Sequence, residues 1–524
     1  MLNLIQSRTT TKQLNTMLTN IKKPILVIIG LFYALISFGQ TVDIDLKAKM
    51  LKTYDVWKKD SEVNIKRFVH GTQQNMDGYV YESFYLVDDA GNRVDISSKV
   101  ESCFDFQYEN TQQLWDAAIV TNVLHSLVKN GFNYKLRREM ENDALDYIQT
   151  VRKYNLELND PYLETYIYSL IAKIAPAYMV DCRPGSINLI IQQNPSINAC
   201  CYPNGTIVLN TGLLATLHSE AELVAILSHE IAHFILDHSV QNVIAAEKRQ
   251  QRAEFWAALA TGLTAVAEGV IAANNEYYVP GAATIGMAVI STNIATAVID
   301  RLGMNYNHQQ EEEADQLAKE VLEILGYDKN ALATALSRLE DEYIKERNNA
   351  MYITSYTHPA LINRIGRAGT PVGTREKEFE QIISFAVSNV AMMKYSDCRF
   401  RQCLPYVCQN IENNVGTTDD YLLKANCLLS TKNDEESNQE VMTLISQAKA
   451  IDENNINIYK TEIIATLRLG DKNAAIELLN NYIARLDSYN LDEIKSDEYW
   501  DTVREFIYSE RRWAKQMSLK LSGM

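Results

Sequence analysis

The sequence predicts an α+β, mostly helical protein: a central domain of one long apolar helix and a small sheet with an edge strand, then a C-terminal α-solenoid. Three observations predict this. Leu223, Ile226, Leu227, Ile231, Phe234 and Ile235 recur at helical steps of three and four residues, which describes a helix with a buried stripe. Thr206 to Asn210 is a short, β-branched run flanked by Gly205 and Gly212, and it reads as an edge strand. From about residue 390 onward the chain turns into alanine-spaced helix pairs.

The central helix opens on Ser219-Glu220-Ala221-Glu222, which fits a capping box with Ser219 as N-cap and Glu222 reaching back. It carries His229-Glu230-Ile231-Ala232-His233. Histidines four apart lie one above the other on a helix, so both imidazoles can bind one metal ion. Glu230, about 100° around the same helix, can take a proton from a water activated there.

Catalytic zinc takes three protein ligands and keeps one position open, so a third ligand is required. One known spacing places a glycine and then a histidine after the motif. Those positions hold Leu236 and Ser239, with His238 one residue out of register. Another places a glutamate downstream; Glu254 is near, but its context Arg252-Ala253-Glu254-Phe255-Trp256 is unlike such sites, which leaves it a minor alternative. The third option is Glu311-Glu312-Glu313-Ala314-Asp315, followed by apolar residues at helical spacing and a stop at Gly326. Glu311 and Asp315 share a helix face, so Glu311 can coordinate while Asp315 accepts a hydrogen bond from the far nitrogen of a ligating histidine. A solvated acidic helix start would equally explain three glutamates in a row.

In four ordered elements the chain resembles the CAAX-prenyl-protease-type zinc metallopeptidases, which include HtpX-like and BepA-like bacterial quality-control proteases and mitochondrial Oma-type proteases. The first is Asn198-Ala199, then Pro203-Asn204-Gly205, a strand and Gly212-Leu213-Leu214, with Asn204 in place of a glycine. The second is His229-Glu230-x-x-His233 with His238 after it. The third is Glu311 to Asp315, and the fourth is Thr357-His358-Pro359 with Arg364-Ile365. The resemblance covers roughly residues 155 to 370 and implies a zincin-like domain. It implies one zinc ion (Zn2+) on His229, His233 and Glu311, with Glu230 as general base and Asp315 orienting a ligand. It also implies His358 as a donor or regulator near the substrate carbonyl; the plainer reading of His358 is a turn residue before proline.

Other segments bound the rest. Lys22-Lys23, the apolar run Pro24 to Ile36 and Ser37-Phe38-Gly39 read as a signal peptide cut after Gly39. The expected layout is therefore signal peptide 1–39, accessory region 40–150, metallopeptidase domain 151–372 and helical repeats 385–524. In the accessory region, Tyr79 to Val87 and the turn Asp88-Asp89-Ala90-Gly91-Asn92 predict a hairpin. In the tail, Ala425, Ala448, Ala450, Ala465, Ala474 and Ala475 mark close helix approaches, with turns at Ile451 to Asn455 and Leu469 to Asp471. This tail resembles degenerate tetratricopeptide (TPR-like) repeats, which form concave protein-binding surfaces. Among the eight cysteines, Cys182 with Cys200 or Cys201, and pairs among Cys398, Cys403, Cys408 and Cys427, are candidate disulfides, with buried free thiols the equal alternative.

The net charge of −16 argues against a nucleic-acid partner. The expected function is an exported zinc endopeptidase of the periplasm or cell envelope, acting on misfolded or unassembled protein or peptide substrates. The repeats would capture a substrate or envelope partner, and peripheral membrane association stays open. The alternative is a chaperone-like scaffold in which proteolysis is minor or latent. An integral-membrane protease would need residues 255–273 and 281–298 to span a bilayer, yet Glu268, Ser291, Thr292 and Asn293 interrupt these runs. Covering the active site is the alternative role for that segment.

Overall fold

The computed structural model describes residues 41–73, 79–95, 98–119, 132–175, 188–247, 302, 304–347, 361–489 and 498–523. The export segment, Cys182, Glu254, the alanine-rich runs between 255 and 298, and His358 lie outside these residues. Contacts divide the chain into two units, Met1–Glu139 and Met140–Met524.

The first unit is an antiparallel sheet in the order β4-β3-β2-β1-β5. Its strands are β1 (Thr41–Met50), β2 (Glu62–Gln73), β3 (Tyr79–Asp88), β4 (Arg93–Asp95) and β5 (Phe104–Gln107). The short α1 (Ser98–Glu101) precedes β5 and α2 (Thr111–Ile119) follows it. The expected hairpin is β3–β4: Asp88 Oδ1 accepts the backbone N–H groups of Ala90 (3.0 Å) and Asn92 (2.8 Å), fixing the turn. Trp57 packs edge-on against Phe104 in the core of this sheet.

The second unit begins within α3 (Phe132–Lys153) and continues with α4 (Pro161–Ile174), capped by Asp160. A three-stranded sheet follows, from β6 (Asn188–Gln192), β7 (Ala199–Cys201) and β8 (Thr206–Asn210). Its order is β6-β8-β7, so Thr206–Asn210 is the central strand and the edge reading is wrong. The physical reason is that all five residues of β8 are buried, between a parallel and an antiparallel neighbour. A continuous apolar run marks a strand covered on both faces; of its flanking glycines, Gly205 serves a turn and Gly212 lies in the helix that follows. Gly205 (φ +82°) closes the β7–β8 turn, where Asn204 Oδ1 accepts the Thr206 N–H.

The chain passes directly from β8 into α5 (Thr211–Leu214) and α6 (Glu220–Ile235), the motif helix. Ser219 caps α6 by accepting the Glu222 N–H, but the capping box is only half formed. The Glu222 carboxylate instead accepts the His218 N–H and pairs with Arg338. A second carboxylate, from Glu376, receives the Glu220 N–H at 2.9 Å, where the helix dipole favours negative charge. Every residue of α6 from Glu222 to Ile235 is buried. Beyond α7 (His238–Glu247), helices α8 (His308–Ile324) and α9 (Ala331–Arg347) pack against α6, and α10 (Leu361–Ala368) packs on both of them. Helix α8 stops at Leu325, before Gly326 at φ +78°.

The tail comprises α11 (Lys377–Ile382), α12 (Ser384–Ser396), α13 (Phe400–Glu412), α14 (Thr418–Thr431), α15 (Glu435–Ile451), α16 (Asn457–Arg468), α17 (Lys472–Asp487) and α18 (Glu498–Ser522). From α11 to α18 each helix packs on the next along the chain. Ala425, Ala448, Ala465 and Ala475 are buried at helix contacts and Ala474 is half-buried; Ala450 is exposed and marks no approach. Both expected turns occur, the second with Gly470 at φ +87°. Among the described cysteines all seven are free thiols, so no candidate pairing within the C-terminal four is formed.

Two predictions follow from packing and charge. A Cβ on Gly212 would stand 2.3 Å from the Pro195 carbonyl oxygen, a backbone atom that cannot swing away. Gly212→Ala is therefore expected to cost about 3 kcal/mol, measurable as a lowered urea midpoint at unchanged slope. His218 sits 2.7 Å from Glu380, yet burial, reinforced by Arg338 and Arg375, pushes its imidazole down to about 4. An unfolded histidine takes its proton near pH 6.5. The unfolded chain thus binds the extra proton between these values, and stability falls as pH drops through that window. His218→Gln should show a shallower decline over the same range of denaturation midpoints.

Candidate metal centre

Helix periodicity and two caps set the centre. On α6, His229 and His233 face the same way, with their Nε2 atoms 3.0 Å apart. Helix α8 starts at a full capping box, in which Asn307 and Gln310 satisfy each other's backbone N–H groups. That start fixes Glu311 one turn in, facing α6. Its carboxylate oxygens lie 3.5 Å from His233 Nε2 and 3.7 Å from His229 Nε2. One donor atom from each of these buried residues lies within 4.8 Å of the others. Ligand atoms around a tetrahedral zinc with bonds near 2.0–2.1 Å are about 3.4 Å apart. The three observed separations bracket that value, so two imidazoles and a carboxylate fit zinc in both donor type and spacing.

Asp315, one turn after Glu311, lies 3.0 Å from His229 Nδ1, on the side of the ring away from the cluster. Glu230 is buried beside the histidines and lines a narrow cleft with Ala199 of β7 and Leu336 and Leu339 of α9. Glu312 points to solvent, so one of the three consecutive glutamates follows the plain acidic-helix expectation.

Four neighbours were given no role by the sequence. Arg364, on α10, forks onto Asp315 (2.8 and 2.6 Å) and reaches Glu311 at 2.5 Å. Burial pushes the Asp315 carboxyl up, but Arg364 and the His229 hydrogen bond outweigh it and hold it well below the carboxylate range. Tyr306 lies flat on the His233 ring, with centroids 3.7 Å apart and planes 10° from parallel. Burial, with the nearby charge of Glu230, keeps its phenol neutral. His238 is not a third ligand; its Nδ1 lies 2.8 Å from His233 Nδ1, and its Nε2 lies 3.2 Å from Glu313. That hydrogen bond holds the Glu313 carboxyl below its ordinary value. Arg364, Glu313 and His238 had a signal, since they stand in the quoted sequence elements; Tyr306 had none.

Residues 161–371 match Peptidase family M48. This region is an M48 peptidase domain. It contains every described member of the cluster, from β6 to α10. The beta-barrel assembly-enhancing protease of Escherichia coli (strain K12) is 31% identical over 199 residues, which is 37% of this chain and 36% of that protein. The protein of the same name from Yersinia pestis is 27% identical over 224 residues, 42% of this chain and 41% of its own length. The mitochondrial metalloendopeptidase OMA1 of Bos taurus is 34% identical over 90 residues, 16% of this chain and 17% of that protein. The likeness thus spans less than half the length of each relative.

Removing Arg364 would leave two buried carboxylates without their cation. Breaking a buried pair from one side costs about 3–5 kcal/mol. Arg364→Met is expected to lose that much in chelator-treated protein at neutral pH, read from equilibrium urea unfolding against wild type treated the same way.

Proposed function

We propose that the chain is a zinc-dependent endopeptidase of the cell envelope, hydrolysing peptide bonds in misfolded or unassembled proteins. The observation that carries this reading is the convergence of His229, His233 and Glu311 beside Glu230, in a cleft of an M48 domain. In it, His229, His233 and Glu311 would hold one zinc ion, which when bound would supply Lewis acidity to the scissile carbonyl and the attacking water. Glu230 accepts the proton of that water and passes it to the leaving amine. Asp315 accepts the His229 Nδ1–H, keeping Nε2 free for coordination. Arg364 fixes Asp315 and Glu311 in turn. His358 is assigned from the sequence signature to the developing oxyanion. β7 is one of the two edge strands of the small sheet among the described residues, and its Ala199 lines the cleft, so an extended substrate would add there as a further strand.

Export, a periplasmic or envelope location and the four-part layout with TPR-like repeats belong to the same proposal. They are supported by the sequence pattern and by relatives named for beta-barrel assembly. Among the described residues no helix is long and apolar enough to cross a membrane. The competing scaffold reading draws on the run of consecutively packed helices from α11 to α17.

Two outcomes are expected of the mature protein. Glu230→Gln should retain one zinc per chain by metal analysis while cleavage of an unfolded protein falls by about 10²–10⁴-fold. Unchanged cleavage in that variant would refute the peptidase reading, and full biological activity without cleavage would favour the scaffold. Treatment with a chelator should abolish cleavage and lower the melting temperature, and added zinc should restore both.

A further inference from the structure

Helix α9 separates two openings. On one face, Leu336 and Leu339 line the cleft beside His229 and Glu230. On another, Arg338, Asp341 and Glu342 line a cavity of about 750 Å³, a volume typical of ligand sites, whose far wall is α13. The short α5 and the turn after it divide in the same way, Leu213 facing the cleft and Thr216 the cavity. The cavity therefore begins one helix diameter from the cleft, about 10 Å.

The α13 wall presents Arg401, Gln402 and Gln409. Gln409 is only 9% exposed. Its Nε2 has no hydrogen-bond partner among the described residues, and neither does Gln402 Oε1. Buried polar atoms are satisfied in the great majority of cases, so an orphaned donor and an orphaned acceptor on one wall point to a ligand offering the complementary pair. An extended peptide does so, with one C=O and one N–H per residue. The seven steps from Gln402 to Gln409 span about 10 Å of helix, the length of roughly three residues of extended chain. Arg338 and Arg401 are interleaved with Asp341 and Glu342, so the wall has no single sign of the kind that selects a phosphate or nucleic acid.

We propose that this cavity is an exosite that holds a polar segment of an extended polypeptide substrate outside the cleft. It rests on the peptidase reading for its meaning, but its binding can be measured without cleavage. The full-length mature protein carrying Glu230→Gln serves as a non-cleaving trap. Fluorescence anisotropy is recorded with labelled β-casein, an unfolded protein, and with a labelled peptide just long enough to fill the cleft. Arg401→Glu, at an exposed position, and Gln409→Leu, which removes the orphaned amide, are each expected to weaken casein binding about fivefold or more. Each should leave the short peptide's affinity within about twofold. Wild-type affinity for casein in both variants would overturn the exosite, as would equal weakening of both probes, which would place the effect in the cleft. Casein binding that responds to the variants, in a protein whose Glu230 form cleaves nothing, would sink the peptidase reading and leave the exosite standing.

Discussion

Two carboxylates, Glu311 and Asp315, enter the interior four residues apart on one face of α8, and the surrounding helices are placed to receive their charge. With Glu230 beside them and Arg364 as the buried cation in contact, the ionised groups sum formally to two negative charges. In a low-dielectric interior such a surplus is severe unless compensated. A divalent cation on His229, His233 and Glu311 would bring the sum to zero. The same balance explains why the imidazoles come from α6 and the carboxylates from α8 while the guanidinium comes from α10. No single helix face could hold two imidazoles, two carboxylates and an arginine within contact of one another.

Burial of α6 is the other half of that arrangement. A helix covered on all sides from Glu222 to Ile235 cannot satisfy its N-terminal N–H groups with water. Ser219 takes one and Glu376, far along the chain, takes another. Glu376 in turn donates its own N–H to the His218 carbonyl. Residues beyond the fourth sequence element thus secure the end of the helix that carries the histidines. Tyr306, stacked on the other end of the motif, limits rotation of His233.

What was legible in the sequence was whatever obeys a local period. His229 with His233, and Glu311 with Asp315, are readable because a helix repeats every turn and each pair spans about one turn. The caps at Ser219 and Gly326 and the turn after Asp88 are likewise local. The misreadings arise where a local pattern has two tertiary outcomes. Thr206–Asn210 has the composition of any strand, and only the strand Asn188–Gln192, arriving in parallel, makes it central. Glu222 has the right spacing for a capping box, but Arg338, more than a hundred residues later, draws its carboxylate aside. Arg364 and Glu313 follow the same rule: their partners lie 49 to 135 and 75 residues away, beyond the reach of any period.

The attachment of the helical tail completes the physical picture. Asn389 of α12 accepts a hydrogen bond from Thr211 and donates one to Gln193, tying the tail to the junction of β6, β8 and α5. Asn413, at the end of α13, donates to the buried Glu380, which also pairs with His218 at the start of α6. The first tail helices are therefore bonded into the framework that shapes the cleft, without an intervening flexible tether. A flexible tether would let a bound chain sample a wide volume and dilute its local concentration at the cleft. A rigid junction would hold any segment seated against α13 at a fixed distance from Glu230, so that under the proposed exosite capture and cleavage would act on one extended chain. In the proposed reading the tail would set which chains dwell near the cleft long enough to be cut, while the buried charge cluster would set what happens to them there.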